Sequence, residues 1–260
     1  MLKSFLSTIG AYKLYEWWLW RQIKNGIKPE HIAIILDGNR RWAFDKALDP
    51  WSGHEKGAEK ADQLLDWCLS LDVRSITIYA FSTENFTRSQ PEVEEIMRIA
   101  AENLRKILTD KRIHGSRVRV KVIGRTNLLP AELQQLVTDV ENATRGYAEH
   151  FLNIAFAYGG RAEIVDAAQK IAEKVHRGEL RPEDVNEQVF EQCLYTSHMP
   201  KQDPDLIIRT SGEERLSGFL LWQSAYSELF FLDMFWPDFR MIDLLRAVRT
   251  FQSRKRRFGG

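Results

Sequence analysis

The stretch His31-Ile32-Ala33-Ile34-Ile35-Leu36-Asp37-Gly38-Asn39-Arg40-Arg41-Trp42 decides the fold. Residues 31–36 form a short apolar run rich in isoleucine. It is too short for a core helix and lacks the alternation of a half-solvated strand, so it reads as a strand buried on both faces. Asp37-Gly38 ends the run and turns the chain into a loop.

Working outward, similar runs recur at SITIYAF (75–81), RVRVKVIG (117–124), FLNIAFAY (151–158) and DLIIRT (205–210), with FLLWQ (219–223) or ELFFL (228–232) as a further strand. Between them lie helical patterns. Residues 54–70 place Ala58, Ala61, Leu64, Leu65 and Leu69 on one face, and Pro91 and Pro130 open two more helices, to about 110 and Tyr147. Ala162–Val175 and Met241–Arg254 complete the set. Strands alternating with helices predict an α/β fold: a mostly parallel central sheet flanked by helices on both faces. The basic–apolar alternation of 117–124 suits an edge strand with one wet face. Ligands of such sheets bind outside the carboxyl ends of the strands, which directs attention to the loops beginning at Asp37, Ser82, Gly124, Gly159 and Arg209.

The chain has 260 residues, is 44% hydrophobic and 28% charged, and shows neither repeat nor low-complexity linker. One domain over 29–260, preceded by an amphipathic, aromatic-rich segment 1–28, is the simplest division. A net charge of +1 argues against nucleic acid as a partner. Cys68 and Cys193 have no metal or disulfide spacing, so reduced thiols in a cytoplasmic setting are expected. No apolar stretch reaches the roughly 18–20 residues of a spanning helix. Trp17, Trp18 and Trp20 suit either a helix lying peripherally on a membrane or one packing its aromatics on the domain, and the sequence favours neither.

The loops carry the chemistry. Asp37-Gly38-Asn39-Arg40-Arg41-Trp42 offers a carboxylate for a cation, a glycine that lets backbone N–H groups approach an anion, and arginines to neutralise it, although Asp-Gly-Asn is also an ordinary turn. His54 heads the next helical stretch, as an anion contact or a cap. Ser82-Thr83-Glu84-Asn85-Phe86-Thr87-Arg88 gathers hydroxyl, amide and guanidinium groups beside an apolar wall. Gly159-Gly160-Arg161 repeats the ingredients or marks only a tight turn. Arg209, Arg215 and Ser217 surround a glycine loop in a way that suits the forked grip of guanidinium on diphosphate. Glu228 sits in apolar company and needs a cationic partner if buried.

These residues fall into blocks that resemble the cis-prenyltransferases, the undecaprenyl and dehydrodolichyl diphosphate synthase group, over nearly all of 31–260. The blocks are ILDGNRRWA (35–43), GHEKG (53–57), YAFSTENFTR (79–88), NIAFAYGGR (153–161), DLIIRTSGEERLSGFLLWQSAYSELFF (205–231) and WPDF (236–239). The resemblance implies a magnesium-dependent homodimeric enzyme that condenses isopentenyl diphosphate with an allylic prenyl diphosphate. The product is a Z-polyprenyl diphosphate that grows into a hydrophobic tunnel. It casts Asp37 and Asn85 as catalytic, and Asp37 and Glu228 as the acidic metal ligands. Gly38, Asn39, Arg41 and His54 would contact phosphate, Ser82, Phe86 and Arg88 would lie beside the reacting carbons, and Arg40, Trp42 and Glu84 would also bind substrate. Arg209, Arg215 and Ser217 would clamp isopentenyl diphosphate, with Arg257 and Gly259 of the terminal R-x-G-G reaching the partner subunit's site. One departure stands out: Pro50 occupies a position where many members carry a phosphate-gripping arginine. It leaves room for an alternative, irregular transfer between allylic diphosphates or to another acceptor. A non-catalytic accessory subunit is disfavoured because the catalytic positions are intact. Small Ala80 at the tunnel mouth suits several condensations or a long allylic substrate.

Overall fold

The computed structural model describes residues 10–254, so Arg257 and Gly259 lie outside the described residues. Six strands form one parallel sheet: β1 (His31–Ile35), β2 (Ser75–Ser82), β3 (Val118–Ile123), β4 (His150–Tyr158), β5 (Leu206–Arg209) and β6 (Glu228–Phe231), in the order β3-β4-β2-β1-β5-β6. ELFF, not FLLWQ, supplies the last strand; residues 219–223 are turns whose Phe219 and Leu220 plug the sheet from one side.

β1 is buried at every position, as its unbroken apolar run requires, and its side chains divide between the two faces. Ile32 and Ile34 enter the larger core, whereas Ala33 and Ile35 meet Tyr79, Tyr158, Phe219 and Leu220 on the other side. β3 is an edge strand whose Arg119 and Lys121 alternate with buried valines, as the sequence pattern predicts.

The helices are α1 (Ala11–Ile23), α2 (Asn39–Asp45), α3 (Pro50–Ser70), α4 (Gln90–Ile107), α5 (Lys111–Gly115), α6 (Ala131–Thr144), α7 (Gly160–His176), α8 (Glu187–Glu191) and α9 (Met241–Ser253). α3 begins four residues earlier than its apolar spacing suggests. Pro50 takes the first turn, where its missing N–H is harmless and its fixed φ is already helical.

α1 divides its aromatic surface. Leu19 and Ile23 are fully buried, and Tyr15 and Trp18 take the guanidinium groups of Arg246 and Arg249 from α9 over their rings. Leu14 is 67% and Trp17 54% exposed on the outer side. Leu19→Ala should therefore cost about 2–5 kcal/mol in urea denaturation, the range for emptying a core site, and Leu14→Ala under about 0.5. Equal effects would mean that α1 is not part of the core. Among the described residues no helix is long and apolar enough to cross a membrane.

Candidate active site

The connection from β1 leads over one sheet face through α2 and α3, while the turns after β5 pack on the other. β1 and β5 are neighbours, with Ile35 abreast of Arg209, so their loops diverge and leave a crevice between them. Asp37 and Arg209 form its lips. Arg209 Nη2 donates to Asp37 Oδ2 at 2.8 Å and Arg41 Nη2 to Oδ1 at 3.4 Å. Thr210 braces the loop, accepting from the Asp37 N–H at 3.1 Å and donating to the Asp37 carbonyl at 2.7 Å. Burial pushes the Asp37 carboxyl upward, but the Arg209 hydrogen bond and the charges of Arg209 and Arg41 outweigh it and hold it below the usual carboxylate value. Asp37 is thus ionised across the neutral range.

Gly38 is needed here for two reasons. Its φ is +102°, and a Cβ would lie 2.7 Å from the Phe235 ring. Gly53 and Gly57, one turn apart on α3, permit a close approach as well: a Cβ at Gly53 would meet the Asn39 carbonyl at 2.1 Å, and one at Gly57 the Asn39 amide oxygen at 2.5 Å. The GHEKG spacing therefore seats α3 against the start of α2.

On the β5 side, Arg209 is 5% exposed and also donates to Ser217 Oγ at 2.8 Å and to the Arg215 carbonyl. Its Nε is buried and has no acceptor among the described residues. Arg215 is mostly exposed and pairs with Glu213, which also lies 3.8 Å from Arg41. The backbone of this loop is left-handed at Ser211 (φ +83°), Gly212 (+73°), Ser217 (+47°), Gly218 (+78°) and Leu220 (+45°). Gly160 serves this loop: its N–H donates to the Gly218 carbonyl at 2.8 Å.

The loop after β2 is a short 3-10 turn capped reciprocally by Ser82 and Asn85, with Asn85 Oδ1 accepting from the Ser82 N–H at 3.0 Å. Phe86 stands edge-on to Phe81, at 4.9 Å between centroids. Arg88 and His54 converge on Glu92 Oε1, at 2.9 and 3.3 Å, and Arg40 reaches Glu92 Oε2 at 3.5 Å.

Between the sheet and helices α3, α4 and α6 lies an apolar cavity of about 180 Å³. Asn39 and His54 stand at the end nearest the Asp37 loop, Ala58, Ala61, Ala80 and Ala100 along it, and Ile76, Leu104 and Leu152 deep within. Small side chains on facing elements keep the space open where leucines would close it.

Not every residue expected at the site is brought to it. Trp42 turns away, donating to Asp238 Oδ1 at 3.1 Å with Lys46 over its ring. Glu84 is exposed, and its backbone carbonyl accepts from Thr87 Oγ1. In the loop that begins at Gly124, Arg125 pairs with Asp166. Glu228 heads β6, paired with Leu206 at the opposite end of the sheet from Asp37, and its carboxylate holds Arg254. Three residues separate it from the strand end, about 10 Å at the usual rise, with two strand spacings besides. Glu92, Thr210 and Glu213 were not foreseen from the sequence. Glu92 had a legible signal, since it lies four residues after Arg88, the spacing at which helical charges meet.

A family model described as putative undecaprenyl diphosphate synthase matches residues 35–259. The tritrans,polycis-undecaprenyl-diphosphate synthase (geranylgeranyl-diphosphate specific) of Pyrococcus horikoshii is 52% identical over 249 residues, covering 96% of this chain and 94% of its own. The protein of the same name from Methanocaldococcus jannaschii is 50% identical over 98% of this chain and 91% of its own. Among solved structures, lavandulyl diphosphate synthase from Lavandula x intermedia in complex with dimethylallyl diphosphate superposes with a TM-score of 0.86 at 38% identity, over 90% of this chain and 99% of that one. A probable undecaprenyl diphosphate synthase from Campylobacter jejuni gives 0.72 at 29% identity, over 90% and 100%. With its crevice at the strand ends and its long apolar cavity, this chain belongs to the undecaprenyl diphosphate synthase family of cis-prenyltransferases.

Proposed function

We propose that this prenyltransferase extends geranylgeranyl diphosphate with successive isopentenyl diphosphate units to a long Z-polyprenyl diphosphate. The observation that carries the reading is the cavity: an apolar channel that begins beside Asn39 and His54. A diphosphate head would rest among cations while its prenyl tail leaves water along the alanine-lined wall. The names of relatives at 50–52% identity supply the allylic substrate.

The residues divide the work. Arg41, Arg88 and His54 receive the allylic diphosphate. Arg209 and Ser217 bind the diphosphate of isopentenyl diphosphate, for which the buried Arg209 Nε offers an open donor. Asn85, fixed by its cap to Ser82, stands at the end of β2 for the condensation. Asp37 fits magnesium: it is ionised and partly open, and magnesium is commonly held by one or two carboxylates plus substrate phosphates. That ion would neutralise charge on the departing diphosphate. Glu228 of the same chain lies too far away to share an ion with Asp37, so a metal role for Glu228 requires a second copy, which favours a homodimer. Arg257 and Gly259 are assigned to the same intersubunit contact. The exposed Leu14 and Trp17 of α1 support peripheral attachment to a membrane from the cytoplasmic side.

Pro50 favours a second reading, irregular transfer between two allylic diphosphates or to another acceptor, because the first turn of α3 carries no cation there. Mass spectrometry of products from labelled isopentenyl diphosphate and a panel of allylic diphosphates separates the two. A ladder of linear Z-products started best by the C20 substrate is expected. A single branched product, or no incorporation of label, would overturn the elongation reading.

A further inference from the structure

We infer that Glu92 is the positioning residue of the allylic diphosphate pocket, and that it aims Arg40 into the place where α3 brings no cation of its own. Resting on the reading above, this adds a residue and a division of labour to it.

Glu92 lies in the first turn of α4 and its side chain is only 12% exposed. Three groups from three elements meet on it: Arg88 from the end of the β2 loop, His54 from α3 and Arg40 from α2. One carboxylate thus orients two guanidinium groups and an imidazole that share no sequence neighbourhood. Arg88 and His54 use the same oxygen, Oε1, while Arg40 uses Oε2. Arg40 alone of the three is largely exposed, at 56%, so Glu92 supplies its anchor rather than backbone packing. Without an anchor an exposed arginine samples many rotamers, and fixing it costs a large part of its side-chain entropy.

The position of Pro50 explains why an arginine is wanted from α2. Pro50 precedes His54 by one helical turn, so the two occupy neighbouring places on α3. Proline brings neither charge nor donor there. Arg40 approaches from across the gap between α2 and α3 and ends beside His54 through their shared partner. His54 in turn is buried, which pushes its pKa below the usual histidine value, and Arg88 and Arg40 push the same way while the Glu92 hydrogen bond opposes them. Glu92 is therefore the one group of this cluster that favours a protonated, anion-binding His54.

The test compares steady-state kinetics of Glu92→Gln and Glu92→Asp with the unaltered full-length protein, varying the allylic diphosphate and isopentenyl diphosphate separately. Glu92→Gln should raise KM for the allylic diphosphate about tenfold, the effect of about 1.4 kcal/mol of lost positioning, and leave KM for isopentenyl diphosphate within about twofold. Glu92→Asp should restore part of the loss. Arg40→Gln should give a similar allylic KM on its own and add little to Glu92→Gln, because the two act as one unit. An unchanged or lowered allylic KM in Glu92→Gln would overturn the inference. So would equal rises in both KM values, or additive effects of Arg40→Gln and Glu92→Gln. Failure of the wild-type protein to condense any allylic diphosphate would instead remove the reading beneath it.

Discussion

Asp37→Ala is expected to give a folded protein whose condensation rate is lower by at least about a thousandfold, the scale on which a preorganised electrostatic group at the reacting centre acts. Three properties make Asp37 the most sensitive position. It lies at the switch point of the sheet, it is ionised at neutral pH, and it is held by Arg209 and Arg41 from opposite sides. Removing it takes away the proposed metal anchor and frees Arg209 to collapse onto a bound phosphate. A stability loss accompanies the change, since Arg209 is 5% exposed and would keep its charge without a carboxylate partner. Asp37→Asn retains an acceptor for Arg209 and separates the two effects. It should melt close to the wild-type temperature and still turn over poorly. Near-normal rates in either variant would remove Asp37 from the reaction.

The second large effect concerns product length. Ala80 lies four residues further along β2 than Ile76, which pairs with Leu152, so Ala80 and Leu152 line the cavity at depths that differ by about 13 Å. A bulky residue at either place blocks the growing chain, but at different stages. Ala80→Phe should stop extension after one or a few additions, and Leu152→Trp should trim the longest products while permitting several. The first condensation with a short allylic substrate should persist in both, measured by single turnover. Leu152→Trp carries an overpacking cost of about 1–3 kcal/mol, so its melting temperature is read alongside. Identical product ladders in wild type and both variants would show that the chain grows elsewhere than along this wall.

Much of the fold can be read from residue order because local and global preferences agree. β1 is apolar on both faces and is buried on both, and the alternation at 117–124 appears as an edge strand. The ambiguity between FLLWQ and ELFFL could not be resolved by propensity, since both runs are apolar. Tertiary context decides it, because the left-handed turns at Gly218 and Leu220 send residues 219–223 across the sheet instead of along it. At the site, the loops beginning at Asp37 and Arg209 could be placed at carboxyl ends of strands from the sequence. For Glu92 only the pairing with Arg88, four residues before it, could be read; its contacts with Arg40 and His54 join residues distant in sequence, brought together by the α2–α3 packing that Gly53 and Gly57 allow. Trp42 and Glu84 lie inside the matching blocks yet point elsewhere, since a block fixes backbone path more tightly than side-chain direction.

The run of left-handed backbone between Ser211 and Leu220 has a thermodynamic corollary. Each non-glycine residue in that conformation costs on the order of 1 kcal/mol, so the loop keeps its shape only because Phe219 and Leu220 are locked into the sheet and Met234 and Leu232 accept its first N–H groups. Its disorder is surrendered during folding, before any ligand arrives. Capture of a second diphosphate there should consequently proceed with little ordering penalty, and a cycle that repeats many times on one growing chain meets the same rigid receptacle at every round.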